Sequence, residues 1–391
     1  MKTFDVVVIG AGAIGTSVAY YLSKKGLDVA LVEQGDIAYG TTSKCDGNIL
    51  IADKQPGFDT QLAYRSQQLF KEIVNDIDYN IEYTQKGSIY LIESEQEWEV
   101  AENYVKQQVA DGFPMRMMDR KEIHDDEPHI ADDIIGGVEI ECDAACDPMA
   151  MAYGLALAAQ KNGAEILTFH AVKDIKLDEK GAVKSVVTDQ GEILTKAVVN
   201  CAGVWAPHVG KMVGIDIPIL PRQGQILVAE STIPVGKRKI VEFGYMMAKF
   251  GSSDYKRNVS PEIEKYGIAM VFEPTSHNNF LIGSSRAMVG YDTRVSIEIM
   301  RGLAERAIRF FPIMKNINVI RAYAGLRPYC PDHFPIVSPV EEVPGFYIAA
   351  GHEGDGIGLG PVTGKLISQM ITGEETELPV ERMSFARFKK N

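Results

Sequence analysis

The sequence predicts an α/β protein of two domains. One is discontinuous and built on a mostly parallel sheet; the other is α+β, with a large mixed or antiparallel sheet. Three observations predict this. Residues 4–34, FDVVVIGAGAIGTSVAYYLSKKGLDVALVEQ, read as a strand, a glycine-rich turn, a helix and a second strand ending on an acid. Residues 345–371, GFYIAAGHEGDGIGLGPVTGKLISQMI, give strand, glycine-rich turn and helix again near the other end. Residues 222–290 are strand-like throughout, apart from a polar insertion. A helix-then-strand pattern also returns at 149–169 after a different middle, so the first domain is interrupted and resumed. It is expected to comprise 1–80, 147–221 and 322–391, leaving 81–146 and 222–321 to the substrate-binding domain.

Other elements follow from periodicity. FDTQLAYRSQQLFKEIVNDI (58–77) carries Leu62, Leu69, Ile73 and Ile77 at helical spacing, and EQEWEVAENYVKQQVAD (95–111) is a more polar helix, with the strand GSIYLIES between them. The helix in 149–169 stops at Gly163 and is followed by a strand. Strands then alternate with turns at Lys180-Gly181 and Gln190-Gly191. SIEIMRGLAERAIRFFP (296–312) is an amphipathic helix ended by Pro312, and GSSDYKRNVSPEIEKYG (251–267) reads as a surface loop.

The 391 residues are 46% hydrophobic and 24% charged, enough to fill two cores with no sign of disorder. A formal charge of -13, from 40 basic and 53 acidic residues, repels nucleic acid and anionic membrane. The longest basic clusters, KRK (237–239) and KK (389–390), are short and read as solvated faces. Five cysteines, an odd number in a long chain, do not make a disulfide framework and fit a reducing cytoplasm. The N-terminal apolar run is too short and too rich in glycine for a signal peptide or membrane span, so the expected location is the cytoplasm.

Gly10, Gly12 and Gly15 satisfy G-x-G-x-x-G between strand and helix, which marks a Rossmann-like dinucleotide site. Gly10 permits the tight turn, Gly12 lets backbone approach a pyrophosphate, and Gly15 lets helix pack on strand. Glu33, 18 residues beyond Gly15, is placed to accept hydrogen bonds from both ribose hydroxyls. Ala11, Ala13, Ile14 and Gln34 complete the contacts expected of this unit. The acid disfavours NADP, whose 2′-phosphate it would repel. The unit alone does not separate NAD from FAD. Its position does help, because TTSKCDGN (41–48) follows too soon after the second strand to leave room for the second half of a nicotinamide domain.

Four blocks together resemble the D-amino-acid oxidase superfamily of FAD enzymes, of the glycine oxidase, sarcosine oxidase beta-subunit and opine, proline and D-hydroxyproline dehydrogenase flavin-subunit type. They are VVVIGAGAIG…LVE; GTTSKCDGN (40–48); VVNCAGVWA (198–206); and AGLRPYCPDHFPIV (324–337) with AAGHEGDGIGLGP (349–361). The resemblance implies noncovalent FAD. Thr41, Thr42, Ser43, Gly47 and Asn48 would touch phosphate or flavin, Val172 would meet adenine through its backbone, and Ala202, Gly203 and Trp205 would line the cofactor. Gly354, Asp355, Gly356, Ile357 and Gly358 would lie beside the pyrimidine side of the ring, where backbone N–H groups can stabilise the negative charge of the reduced flavin. Arg327, in the block GLRP, would grip the substrate carboxylate with its planar fork. Arg327, Gly354, Gly356 and Asn48 are thus the residues expected at the reacting centre.

The implied reaction is oxidation of the C–N bond of an amino acid or N-substituted amino acid, of the glycine, sarcosine, D-amino acid, proline, hydroxyproline or opine type. Hydride passes from Cα to flavin N5 with no dedicated base. Departures from the pattern matter. Gly354 stands where glycine oxidase-like enzymes carry a second arginine. The cysteine that binds FAD covalently in monomeric sarcosine oxidases would align near Gly325, leaving Cys330 a bystander. No lysine of the kind those oxidases use to activate oxygen is evident, which favours a dehydrogenase passing electrons to a partner subunit. Homo- and hetero-oligomers both suit such a protein. The alternatives are an oxygen-using oxidase, or a flavin-holding subunit without chemistry of its own.

Cys142 and Cys146 lack the further ligands a zinc site needs, so no metal is expected. GPVTGK (360–365) has the wrong spacing for a nucleotide-triphosphate loop and reads as a helix start. His352 is expected to make a structural hydrogen bond. Tyr245, Met247, Phe272 and Tyr329 are core or pocket-wall candidates.

Overall fold

The structure, a computed structural model, describes residues 2–389 except 52, 232, 251–254 and 256. A six-stranded sheet runs in the order Ile336–Pro339, Phe346–Ala350, Ala197–Asn200, Val6–Ile9, Val29–Val32, Glu165–Leu167. Its strands are parallel except at the Ile336–Pro339 edge, which pairs antiparallel with Phe346–Ala350. The two central strands, VVVI and VALV, are buried at every position, as a parallel sheet covered on both faces requires. Alternation sends their side chains into two cores. Val6, Val8, Val29 and Leu31 face the helices Ala13–Lys24, Pro148–Lys161 and Gly356–Thr372. Val7, Ile9, Ala30 and Val32 face a second, four-stranded sheet. That sheet is the run of strands read between 172 and 194, joined by Lys2–Thr3.

The other large sheet has eight strands, in the order Val319–Tyr329, Leu220–Ala229, Phe280–Gly283, Val271–Pro274, Lys239–Glu242, Ser88–Ile92, Gly136–Ile140, Met115–Asp119. It is mixed: among these strands only Lys239–Glu242 and Ser88–Ile92 pair parallel. The amphipathic helix Ile297–Phe310 packs behind it, burying Ile299, Leu303 and Phe310 against Leu227, Phe272 and Ile282. Each such fully buried side chain contributes roughly 1.5–3 kcal/mol. Two long strands, Leu220–Ala229 and Val319–Tyr329, run through the residues where the sequence suggested domain boundaries.

Several short elements escape a periodicity reading. They include the helix Arg120–Asp126, fixed by an Asp119–Glu122 capping box, the helices Gly244–Phe250 and Pro261–Lys265, and the two-residue strands Asn48–Ile49 and Ala144–Ala145. Part of the 251–267 insertion lies outside the described residues, and its described part is not the free loop the sequence suggested. Tyr255 bonds Glu97, and Arg257 pairs with the fully buried Glu242, which also holds Arg306 Nε at 2.8 Å. This network anchors the insertion to the substrate sheet.

Candidate active site

A cavity of about 470 Å³ runs between the parallel sheet and the eight-stranded sheet. At one end it is lined by Gly10, Gly12, Ala13, Ile14, Glu33, Gln34 and Val172. Gly10 sits at φ +104°, and a Cβ there would meet the Cys201 carbonyl oxygen at 2.7 Å. A Cβ at Gly15 would lie 1.7 Å from Gly10 O, so only glycine lets this helix start so close to the strand. Gly15 is therefore buried support rather than cavity wall. Ala11 also lies behind the wall: its N–H donates to Glu33 Oε2 at 2.9 Å, while Gly35 N–H donates to Oε1 at 2.9 Å. These bonds fix the Glu33 carboxylate at the cavity edge and leave it accepting capacity.

The second loop splits into two groups. Thr41, Thr42 and Asn48 line the cavity. Thr42 Oγ1 accepts from Ala13 N–H at 3.0 Å, tying the loop to the start of the first helix, and Thr41 Oγ1 donates to Leu326 O at 2.7 Å, tying it to the substrate sheet. Asn48 Oδ1 is buried with no partner among the described residues. Ser43 and Gly47 depart from expectation. The Ser43 hydroxyl turns back toward Tyr39 O and Gly40 O. Gly47 donates its N–H to Glu273 at 3.1 Å, and a Cβ there would strike Cys146 O. These two positions carry the loop's shape, while 40–42, 44–46 and 48–50 line the cavity.

From the remaining blocks, Ala202, Gly203 and Trp205 line the cavity, as do Gly354, Asp355, Gly356, Ile357 and Gly358. The helix Gly356–Thr372 begins here, and its first-turn N–H groups have no intrahelical acceptors. Together with the helix dipole they offer fixed positive potential to the cavity. His352 is buried, with Nε2 and Thr363 Oγ1 2.9 Å apart, and burial pushes its pKa down to about 3, so the ring is neutral. Arg327 reaches in from the long edge strand: its Nη1 donates to Ser285 O at 2.8 Å, and its guanidinium lies over Gly224. A Cβ on Gly354 would sit 3.7 Å from Arg327 Nε, so arginine and turn are neighbours. Cys330 is buried and away from the cavity lining, while Gly325 is part of it.

Two lysines were missed. Lys54, in the loop after Asn48–Ile49, is 6% exposed and pairs with Asp53 and with Asp355 at 2.8 Å. It ties that loop to the start of the C-terminal helix. Lys239 corrects the reading of KRK as a solvated face. Lys239 is 6% exposed, lines the cavity, and its ammonium has no hydrogen-bond partner among the described residues. Strand register explains the error, because position 239 starts a strand paired with Ser88–Ile92, which turns its side chain inward. The only sequence signal was the apolar IVEF that follows. Nearby, burial raises Asp143 to about 6 and, with the Asp46 charge adding, Glu273 to about 7.

The profile of the FAD dependent oxidoreductase family, DAO, matches residues 5–370. The chain belongs to that family. It is similar to the hydrogen cyanide synthase subunit HcnC of Pseudomonas aeruginosa, at 27% identity over 99% of this chain and 97% of that one. It is similar to the glycine oxidase of Geobacillus kaustophilus, at 26% identity over 98% and 97% of the two chains. The solved structure of that glycine oxidase superposes with a TM-score of 0.87 at 25% identity, covering both chains completely. The structure of L-proline dehydrogenase from P. horikoshii superposes with a TM-score of 0.88 at 25% identity, covering 99% and 98%. This chain is an FAD-dependent oxidoreductase of the same fold. The residues present fit the cofactor: a turn that only glycine can make, a carboxylate fixed at the cavity edge, an orphaned Asn48 Oδ1 and an open helix N-terminus share one cavity. No helix among the described residues is long and apolar enough to cross a membrane.

Proposed function

We propose that this flavoenzyme oxidises the C–N bond of an amino acid or N-substituted amino acid. The observation that carries the reading is Arg327. It is a half-buried guanidinium beside the Gly354 turn, with only Nη1 hydrogen-bonded among the described residues, so the rest of its fork is open to a carboxylate. Two relatives named for glycine and for L-proline support amino-acid chemistry.

When bound, FAD supplies the acceptor for the substrate's Cα hydride. The chain's own contribution is aim and electrostatics. Arg327 holds the carboxylate and thereby fixes which substrate hydrogen faces the cofactor. Ile226, Val241 and Val271 line the same space and keep water from it. Glu33 and the glycine turn would hold the cofactor's adenosine end, and the first-turn N–H groups at 356–358 would offer their positive potential to its redox-active end. The amine binds neutral, and no side chain is assigned as base.

Electrons then pass to a partner subunit. The relative HcnC is itself a named subunit, which supports this reading. The lack of a lysine no longer does, because Lys239 lines the cavity. That observation favours a second reading, an oxygen-using oxidase. Glycine, sarcosine, D- and L-amino acids, hydroxyprolines and opines should be screened for anaerobic bleaching of the yellow chromophore, followed by oxygen addition. Bleaching by members of this set is expected, and bleaching by none would overturn the reading. Slow reoxidation supports the dehydrogenase; fast reoxidation with peroxide supports the oxidase.

A further inference from the structure

We propose that the cavity takes a substrate bearing two carboxylates, with Arg327 on one and Arg286, seated on the Tyr245 ring across Gly224, on the other. This rests on the reading of Arg327 as a carboxylate grip and adds a substrate class to it.

Strand register brings the two arginines together. Leu220–Ala229 pairs antiparallel with Val319–Tyr329, setting Arg222 opposite Arg327 and Gly224 opposite Gly325. On its other side, Gln223 bridges to Ala287, and Gln225 N–H donates to Ser285 Oγ at 3.0 Å. Arg286 therefore comes opposite Gly224, on the sheet face that carries Arg222 and Arg327. Gly224 and Gly325 contribute no side chains, so the Arg327 guanidinium lies directly over Gly224 and the Lys44 carbonyl closes on Gly325. A Cβ on Gly224 would lie 2.2 Å from Arg327 Nη1.

The charge on this face is not balanced. Arg222 pairs with Glu353 at 2.5 Å and lies 4.9 Å from the Tyr329 ring centroid. Burial holds the Arg222 guanidinium below its usual range, and the Arg286 and Arg327 charges add to that. Arg286 lies 4.2 Å from the centroid of Tyr245, a cavity-lining ring, and its guanidinium makes no hydrogen bond or ion pair among the described residues. Among the described residues Glu353 is the one carboxylate that pairs with any of the three guanidinium groups, which leaves the charges of Arg286 and Arg327 without an ion pair. A monocarboxylate would neutralise one of them. A dicarboxylate, such as an N-carboxyalkyl amino acid or an acidic amino acid, would neutralise both.

The test uses the holoenzyme with iminodiacetate and N-ethylglycine, which share an N-substituted glycine core and differ in the second carboxylate. Iminodiacetate should reduce the flavin with a kcat/KM about a hundredfold higher, the order expected for pairing a partly buried guanidinium. Arg286→Met should raise KM for iminodiacetate and shrink the preference below about tenfold. Equal rates for the two amines, or a preference that survives Arg286→Met, would overturn the proposal. Binding is read separately with two thioethers that cannot be oxidised at a C–N bond, thiodiacetate and (methylthio)acetate, through the flavin absorbance shift. Tighter binding of thiodiacetate, lost in Arg286→Met, supports the subsite even if no amine bleaches the flavin, in which case only the C–N oxidation reading falls. Equal binding of the two overturns the subsite.

Discussion

On the parallel-sheet side the cavity is shaped by backbone, with a glycine turn, fixed N–H groups and a carboxylate held by Ala11 and Gly35. On the eight-stranded side it is shaped by side chains, with Arg327, Lys239, Val241 and Val271 projecting from strands distant in sequence and Tyr245 from the helix Gly244–Phe250. The glycine turn and the carboxylate of the first wall are specified locally, within residues 10–35. The second wall exists only once eight strands have found their register, because a slip of one residue would turn every inward side chain outward. The two walls should therefore fail differently, the first by losing the cofactor and the second by losing substrate or stability.

The largest effect is expected at Gly15. Gly15→Ala puts a Cβ 1.7 Å from Gly10 O, which the turn cannot absorb without displacing the helix start. Purified Gly15→Ala should carry little or no flavin, read from its visible spectrum; near-normal flavin content would show that the cradle is softer than its geometry. Next is Lys54→Met, which leaves Asp53 and Asp355 without this shared buried cation. Breaking a buried ion pair from one side costs about 3–5 kcal/mol. Urea unfolding should show a loss of that order, and a change below about 1 kcal/mol would remove the triad from the list of anchors.

The contrast between the walls also explains what the sequence disclosed. Gly10, Gly12, Gly15 and Glu33 were readable because one strand–turn–helix–strand unit carries them all at a recognisable spacing. Arg327 was readable only through resemblance, since nothing in AGLRPY says what faces it across the sheet. Lys239 was misread for the same reason: three consecutive basic residues look solvated until strand pairing turns one of them inward. Ser43 and Gly47 were over-assigned, because a loop that resembles a cofactor-binding segment as a block still contains single positions that hold its shape. The short helices at 120–126 and 244–250 are set by caps and packing, and are too brief for periodicity to reveal.

A smaller, pH-dependent effect should sharpen the comparison at Glu273, in the side-chain wall. Burial raises its carboxyl from 4.5 to about 7, so the native state binds a proton that the unfolded chain releases. Its stabilising contribution is complete below about pH 4.5 and is lost as pH rises through about 7. Glu273→Gln does not titrate, so its stability relative to the parent should grow by about 1–3 kcal/mol between about pH 5 and pH 8. His352, with its pKa lowered to about 3, loses stability in the opposite direction, as pH falls below about 6.5. It is common to both proteins and cancels in the difference. A gap that stays constant with pH would show that Glu273 is ionised throughout.

The most direct test of the account is steady-state and anaerobic stopped-flow kinetics of Arg327→Met with the best amino-acid substrate of the parent enzyme. The account predicts full flavin content, an intact visible spectrum and an apparent KM raised by about a hundredfold or more, as expected for removing a charged carboxylate partner. An unchanged KM, or loss of the flavin with the arginine, would contradict it.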